Sequence, residues 1–244
     1  MTEEYNNTHL APGLYLIPVT LGETPLSQVL PEYNTPIIKS IRHFIVEEVR
    51  TARRFLKSVD KSIDIDSLHF YPMGKHADLS LFRQYLEPLK QGEPMGVISE
   101  AGCPAVADPG SYVVALAHEM NIKVIPLVGP SSIILSLMAS GFNGQQFAFH
   151  GYLPIDASAR AAKIRRMEEV SRLDHQTQIF IETPFRNRQL MEDLLKTCKN
   201  STRLCVAAGI TCPNEYIRTA TIKQWKVEHW PDLHKVPAVF LLFA

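Results

Sequence analysis

Short apolar runs alternate with stretches of helical period along this chain, and that alternation predicts an α/β protein made of two α/β domains. Two further observations support the prediction. Val97–Gly110 and Val124–Ser132 each begin as a buried-type strand and break into a helix over Gly and Pro. After Gly141 the pattern restarts with more terminal strands and fewer helices. We therefore expect a largely parallel sheet in a first domain, residues 1–141, and a mixed sheet in a second, residues 142–244. The polar stretch Gly141–Gln146 is the expected boundary.

Taken in order, Leu14–Val19 reads as a buried strand and Phe44–Lys57 as a helix with Ile45, Val49, Phe55 and Leu56 inward. Leu68–Tyr71 is a short strand; Leu79, Phe82, Leu86 and Leu89 mark one face of the next helix. Strand Met95–Ser99 leads through the first loop to a helix with Val113, Leu116, Ala117 and Met120 inward. Strand Ile122–Leu127 precedes helix Ser131–Ser140, which is apolar nearly all round and so expected to be buried, with Gly141 as its stop. Strand Phe147–His150, helix Ala157–Leu173, strand Gln178–Glu182 and helix Asn187–Lys199 follow. Strands at Leu204–Ala208, Tyr216–Ala220 and Val236–Phe243 close the chain.

The 244 residues balance 25 basic against 25 acidic side chains, which disfavours a strongly basic nucleic-acid binder but leaves room for a local basic patch. The polar, acidic N-terminal segment has no apolar signal core, and no run approaches the roughly 18 apolar residues of a membrane span. A cytoplasmic protein without membrane contact is expected. Cysteines at 103, 198, 205 and 212 form no C-x-x-C pair, and the nine histidines are scattered, so neither disulfides nor a metal site is expected.

Two stiff strand-to-helix loops are how an open α/β sheet builds a ligand crevice at its strand ends. Glu100 follows a buried strand and could present a solvated carboxylate to such a crevice. Asp108, before Pro109, reads first as a helix cap. Ser131 and Ser132 can be caps too, although the amides at a helix start also suit a ligand carboxylate. Phosphate-binding loops and a G-x-S-x-G elbow are absent. Two basic clusters, Arg50/Arg53/Arg54/Lys57 and Arg160/Lys163/Arg165/Arg166, are either solvated helix faces or a polyanion surface.

The segment from Ile98 to Gly110 resembles ISDAGTPxxSDPG of the tetrapyrrole methylase superfamily, and most nearly its ribosomal RNA small subunit methyltransferase I branch. Val124–Gly141 resembles VxPxPGPSAxxxALxxSG, Phe147–Pro154 resembles FxFxGFLP, and Gln178–Leu190 resembles TxVFYESPHRL. The resemblance implies two α/β domains with S-adenosylmethionine in the cleft between them, a homodimer, and methyl transfer to a ribose 2′-hydroxyl of rRNA. Carried over residue by residue, it implies cofactor contacts at Pro18, Ser99, Glu100, Ala101, Gly102, Ser131, Ser132, Leu153 and Ile181. Glu47 is the candidate base or substrate-orienting group, and Arg50 the candidate phosphate holder.

Departures fall on the substrate side. The branch's ATPIGNL is here Pro18–Thr24 with only the glycine kept. Its EDTRHTRRLL is Glu47–Leu56, keeping the first acid and three arginines. Its RELTK is Ala208–Cys212, without the basic residues and the acid, while Glu215 matches a later glutamate. Three readings stand at this point: an RNA methyltransferase, a methyltransferase of a tetrapyrrole-like or other metabolite, and a cofactor-binding relative without catalysis.

Overall fold

Ten strands carry the fold in a computed structural model that describes residues 10–74 and 79–244, the side chain of Leu79 excepted. The polar segment before residue 10, and the place of Leu79 on a helix face, lie outside that description. The strands are β1 Leu14–Leu16, β2 His43–Val46, β3 His69–Pro72, β4 Met95–Ile98, β5 Val124–Pro126, β6 Phe147–Tyr152, β7 Thr177–Ile181, β8 Arg203–Ala208, β9 Tyr216–Thr221 and β10 Ala238–Phe243. They form two five-stranded sheets, β3-β2-β4-β1-β5 and β6-β7-β10-β8-β9.

Every pairing in the first sheet is parallel. Parallel strands are covered on both faces and so read as continuous apolar runs. Here β4 is buried at all four residues, with core clusters around Phe44 and Ile98 and around Phe82 and Val97. The same property hides β2 in the sequence: Phe44, Ile45 and Val46 are strand, not the start of a helix. They are fully buried and pair with β3 and β4. The helix begins only at Val49, capped by the Glu48 side chain, which accepts from the Arg50 N–H at 3.1 Å. Periodicity cannot separate a short buried strand from the helix that follows it. Short helices at Leu26–Val29 and Asn34–Ser40, absent from the sequence reading, fill the connection from β1 to β2.

The second sheet is mixed: β6 and β7 are parallel, while β10 runs antiparallel to both β7 and β8, and β9 antiparallel to β8. Alternation sorts its side chains. Phe180, Phe240 and Val206 pack with Met191, Leu194 and Trp225 on one face; Ile179, Val239 and Cys205 pack with Leu137 on the other. Burying each such large side chain contributes roughly 1.5–3 kcal/mol.

The chain divides into two compact units, one reaching to Thr20 and resuming over Thr24–Pro130, the other Leu21–Glu23 with Ser131–Ala244. The division thus falls at Pro130/Ser131, ahead of the polar stretch Gly141–Gln146. Helix Ser132–Ser140 accounts for the difference, because Leu137 joins the second sheet's core and the Ser140 carbonyl accepts from the Thr219 hydroxyl at 2.8 Å. Gly141 ends that helix at φ +71°, a backbone state that glycine enters without penalty. The helix is not buried all round: Ile134 is 46% and Met138 73% exposed on one of its faces.

Candidate active site

The first sheet's carboxyl edge gathers the loops that follow β1, β2, β4 and β5, because all four strands run the same way and lie side by side. Three of these loops interlock. The Val19 N–H donates to the Gly102 carbonyl at 3.0 Å, joining the β1 loop to the β4 loop. Gly129 abuts Pro18 so closely that a Cβ would stand 2.3 Å from the proline ring. The Cys103 thiol donates to the Pro130 carbonyl at 3.4 Å, which ties the β4 loop to the β5 loop. Asn34 adds a fourth tie, its amide donating to the Val128 carbonyl at 2.9 Å.

The β4 loop is wound through three left-handed residues, Gly102 at φ +69°, Ala105 at +67° and Ala107 at +64°. For the two alanines this conformation costs energy that the surroundings must offset. Asp108 supplies the offset. Its Oδ1 accepts from the Gly110 N–H at 2.7 Å and the Ala105 N–H at 3.1 Å. Burial raises the Asp108 pKa and these donors oppose the rise, so this carboxylate braces the loop rather than facing a ligand. The buried Ser99 hydroxyl lies alongside it without a hydrogen bond of full geometry. Burial also raises the Cys103 pKa, which keeps the thiol protonated and unsuited to nucleophilic attack.

Glu47 and Glu100 come together here. The β2–β4 pairing continues past the strand ends, where the Glu47 N–H donates to the Ile98 carbonyl at 3.2 Å. The Glu47 carboxylate in turn accepts from the Glu100 N–H at 3.3 Å. The Glu100 carboxylate is held from the same side by the Thr51 hydroxyl at 2.5 Å. Nothing in the sequence singled out Thr51, because its role depends on β4 lying next to β2. Ala101 is exposed and Gly102 buried. Arg50 and Arg54 stand one turn apart on the following helix, both exposed and without an ion pair among the described residues, whereas Arg53 pairs with Asp66 at 2.9 Å.

In the second unit, Leu153 and Ile181 lie at one edge, since β6 and β7 are parallel and Tyr152 is in register with Ile181. Leu153 is 3% exposed within the core, so only its main chain can meet a ligand. Pro18, buried against Gly129, is limited in the same way. Ser131 caps its helix through a 3.4 Å bond from the Ile134 N–H, and Ser132 is the first helical residue. Glu182, almost fully buried, accepts from Arg186 Nη2 at 2.6 Å and the Thr183 N–H at 2.6 Å, which commits both charges to each other. The β8–β9 loop turns back on itself: Gly209 and Thr211 have positive φ, and the Glu215 carboxylate accepts from the Thr211 N–H at 2.7 Å.

Of the two basic clusters, the second is not a polyanion surface throughout. Arg160 is 6% exposed, paired with Asp193 at 2.6 Å and donating to the Pro154 and Ile155 carbonyls. A cavity of about 450 Å³ lies elsewhere in the first unit, lined by Leu26, Leu30, Glu32, Ile38 and Val59 among others, and none of the expected cofactor residues borders it. Among the described residues no group of three or more His, Cys, Asp or Glu could hold a metal, and no helix is long and apolar enough to cross a membrane.

A parallel sheet with interlocked loops at its carboxyl edge, in one chain with a mixed sheet, defines an α/β protein of the kind that binds small ligands at strand ends. The profile of the tetrapyrrole (corrin/porphyrin) methylases matches residues 38–226, and the chain belongs to that family. Membership makes it a methyltransferase. Among its relatives is ribosomal RNA small subunit methyltransferase I of Vibrio cholerae, 28% identical over 218 residues that cover 89% of this chain and 72% of the relative. The protein of the same name from Haemophilus influenzae is 33% identical over 162 residues, 65% of this chain and 56% of the relative. The chain therefore spans between about half and three quarters of these relatives' length.

Solved structures agree on the fold. The methyltransferase CobJ superposes with a TM-score of 0.63 at 15% identity, over 96% of this chain and 94% of CobJ. A uroporphyrin-III C-methyltransferase from Thermus thermophilus, solved with S-adenosyl homocysteine, superposes with a TM-score of 0.52 at 16% identity, over 95% of this chain and 97% of the other.

Proposed function

We propose that this protein transfers a methyl group from S-adenosylmethionine to a ribose 2′-hydroxyl of small-subunit ribosomal RNA. One observation carries the reading beyond the family: Glu47, on the loop after β2, bonds the β4 loop through the Glu100 N–H, while Arg50 and Arg54 stand exposed on the helix that begins there. A carboxylate and exposed cations at one sheet edge suit an acceptor that carries both a hydroxyl and phosphates.

The residues present fit the cofactor. Main-chain groups of Ser99–Gly102 are fixed by the Val19 bond and the Asp108 brace, and the Ser99 hydroxyl retains hydrogen-bonding capacity. Ser131, Ser132, Leu153 and Ile181 are the further cofactor contacts that the family resemblance implies. When bound, S-adenosylmethionine supplies a methyl group activated on a sulfonium. The protein's part is to align the acceptor oxygen with that methyl and to exclude water. Glu47 would take the proton that the acceptor hydroxyl gives up, and Arg50 would hold a neighbouring phosphate. The relatives named above, catalogued as rRNA methyltransferases, support this acceptor. A cytoplasmic homodimer is the expected setting.

The test is a comparison of small-subunit rRNA methylation between a deletion strain and its parent, with complementation by the wild-type protein and by Glu47→Gln. One ribose methyl lost in the deletion and restored only by the wild type is the expected result. An unchanged map, together with a metabolite methylated by the purified protein, would replace the RNA reading with the small-molecule one.

A further inference from the structure

The second unit carries a basic face that the catalytic reading does not use. Three segments meet at one end of its sheet. Helix Asn187–Thr197 presents Lys196 in its last turn, and the turn after it presents Lys199 and Asn200; β8 starts there with Arg203; helix Ile222–Trp225 and the residue after it bring Lys223 and Lys226. Main-chain bonds hold the segments together, Lys223 N–H to the Asn200 carbonyl at 3.0 Å and Ile222 N–H to the Thr202 carbonyl at 2.8 Å. Lys226 Nζ donates to Asn200 Oδ1 at 2.8 Å. All five cations are exposed, and none forms an ion pair among the described residues.

The carboxylates nearby are spoken for. Glu168 is buried and accepts from the Lys199 N–H at 2.7 Å and the Thr202 hydroxyl at 2.5 Å. Glu169 pairs with Arg172, Glu192 with Arg188 and Glu228 with Arg218. Five exposed cations without an ion pair among the described residues, gathered at one end of the unit, stand out in a chain whose net charge is zero. An aromatic platform adjoins them: the Arg203 guanidinium lies 5.1 Å from the Phe142 ring centroid and 4.9 Å from that of Phe243, and the two rings stack at 5.5 Å. The rings hold the Arg203 guanidinium in place, and exposed cations around it match the phosphates of a nucleic-acid strand.

β7 and β8 run in the same direction, each being antiparallel to β10. Leu153, Ile181 and the β8–β9 loop therefore lie at the far end of the strands from Arg203, roughly 17 Å away along β8. We infer that this face is a docking surface for RNA backbone, at the opposite end of the second sheet from Leu153 and Ile181. The inference rests on the rRNA reading above and says where that RNA is held.

The experiment measures binding of small ribosomal subunits and of a single-stranded 20-nucleotide RNA at increasing KCl. It compares wild type, Lys199→Glu/Lys223→Glu, the milder Lys199→Gln/Lys223→Gln, and a charge-matched control, Lys61→Glu/Lys123→Glu. Calorimetry with S-adenosylhomocysteine runs in parallel on each. The expected result is RNA affinity about tenfold or more lower for the Glu pair, an intermediate loss for the Gln pair, and a log–log salt slope shallower by about 1.4 for two lost phosphate contacts. Cofactor affinity and the control stay at wild-type values. RNA binding by the lysine variants equal to the control's would overturn the docking surface and leave the rRNA reading intact. Wild-type protein that binds cofactor but no RNA would overturn both.

Discussion

The loop after β4 and the loop after β8 are built by the same device and end in opposite conditions. Each leaves a buried strand, passes through left-handed residues and is braced by a carboxylate on main-chain N–H groups, Asp108 in one and Glu215 in the other. In the β4 loop the brace leaves Glu100, Ala101 and the Ser99 hydroxyl disposed for other work. In the β8 loop, Ala208–Cys212 carries no basic or acidic residue, and the nearby acid Glu215 is spent closing the turn. A carboxylate that braces from within a loop frees its neighbours; one that closes the loop is itself consumed. On the proposed reading, the β4 loop serves the cofactor and the acceptor relies on Glu47, Arg50 and Arg54.

Breaking the β4 loop should give the largest effect. Gly102→Val forces a β-branched residue to φ +69° at the position bonded to Val19. Calorimetry should then show no binding of S-adenosylmethionine or its product; retained affinity would refute the role of this loop. Gly129→Ala drives a Cβ into Pro18 and should cost about 1–3 kcal/mol in chemical denaturation.

Glu47→Gln comes next. Methyl transfer to small ribosomal subunits should fall about a hundredfold or more while cofactor affinity changes less than about threefold. Turnover at the wild-type rate would remove Glu47 from the chemistry. Arg50→Ala should weaken RNA binding and reduce the log–log salt slope by about 1 with cofactor affinity unchanged.

The β8 loop should respond least. Glu215→Ala removes one charge-assisted bond at the surface and should cost about 1 kcal/mol, with cofactor binding intact. A large loss of turnover in that variant would show that the closed turn does more than hold itself. A thiol probe sharpens the contrast between loops. Burial raises the Cys103 pKa, so little thiolate is present at pH 8 and alkylation should be slow, rising with pH. In Gly129→Ala the rate at pH 8 should increase as the β5 loop is displaced from the thiol.

Much of the fold was legible in the residues. The switch from a parallel to a mixed sheet followed from the added terminal strands and fewer helices after Gly141, and helices Ala157–Asp174 and Asn187–Thr197 lie where their periods put them. The failures have physical causes. A strand buried on both faces has no alternation, so Phe44–Val46 merged with the next helix. An apolar composition says nothing of which side of a helix meets protein, so Ile134 and Met138 were placed inside. Arg160 belonged by spacing to a charged face, yet its partner Asp193 is on another helix.

Local sequence decided everything set by backbone chemistry over a few residues: the left-handed stop at Gly141, the cap at Glu48, and the loop motifs that name the family. Strand order was decided only in three dimensions, because which parallel strands become neighbours depends on packing across the whole sheet. That order seats β4 beside β2, and so brings Glu47 and Thr51 to Glu100 from about fifty positions away.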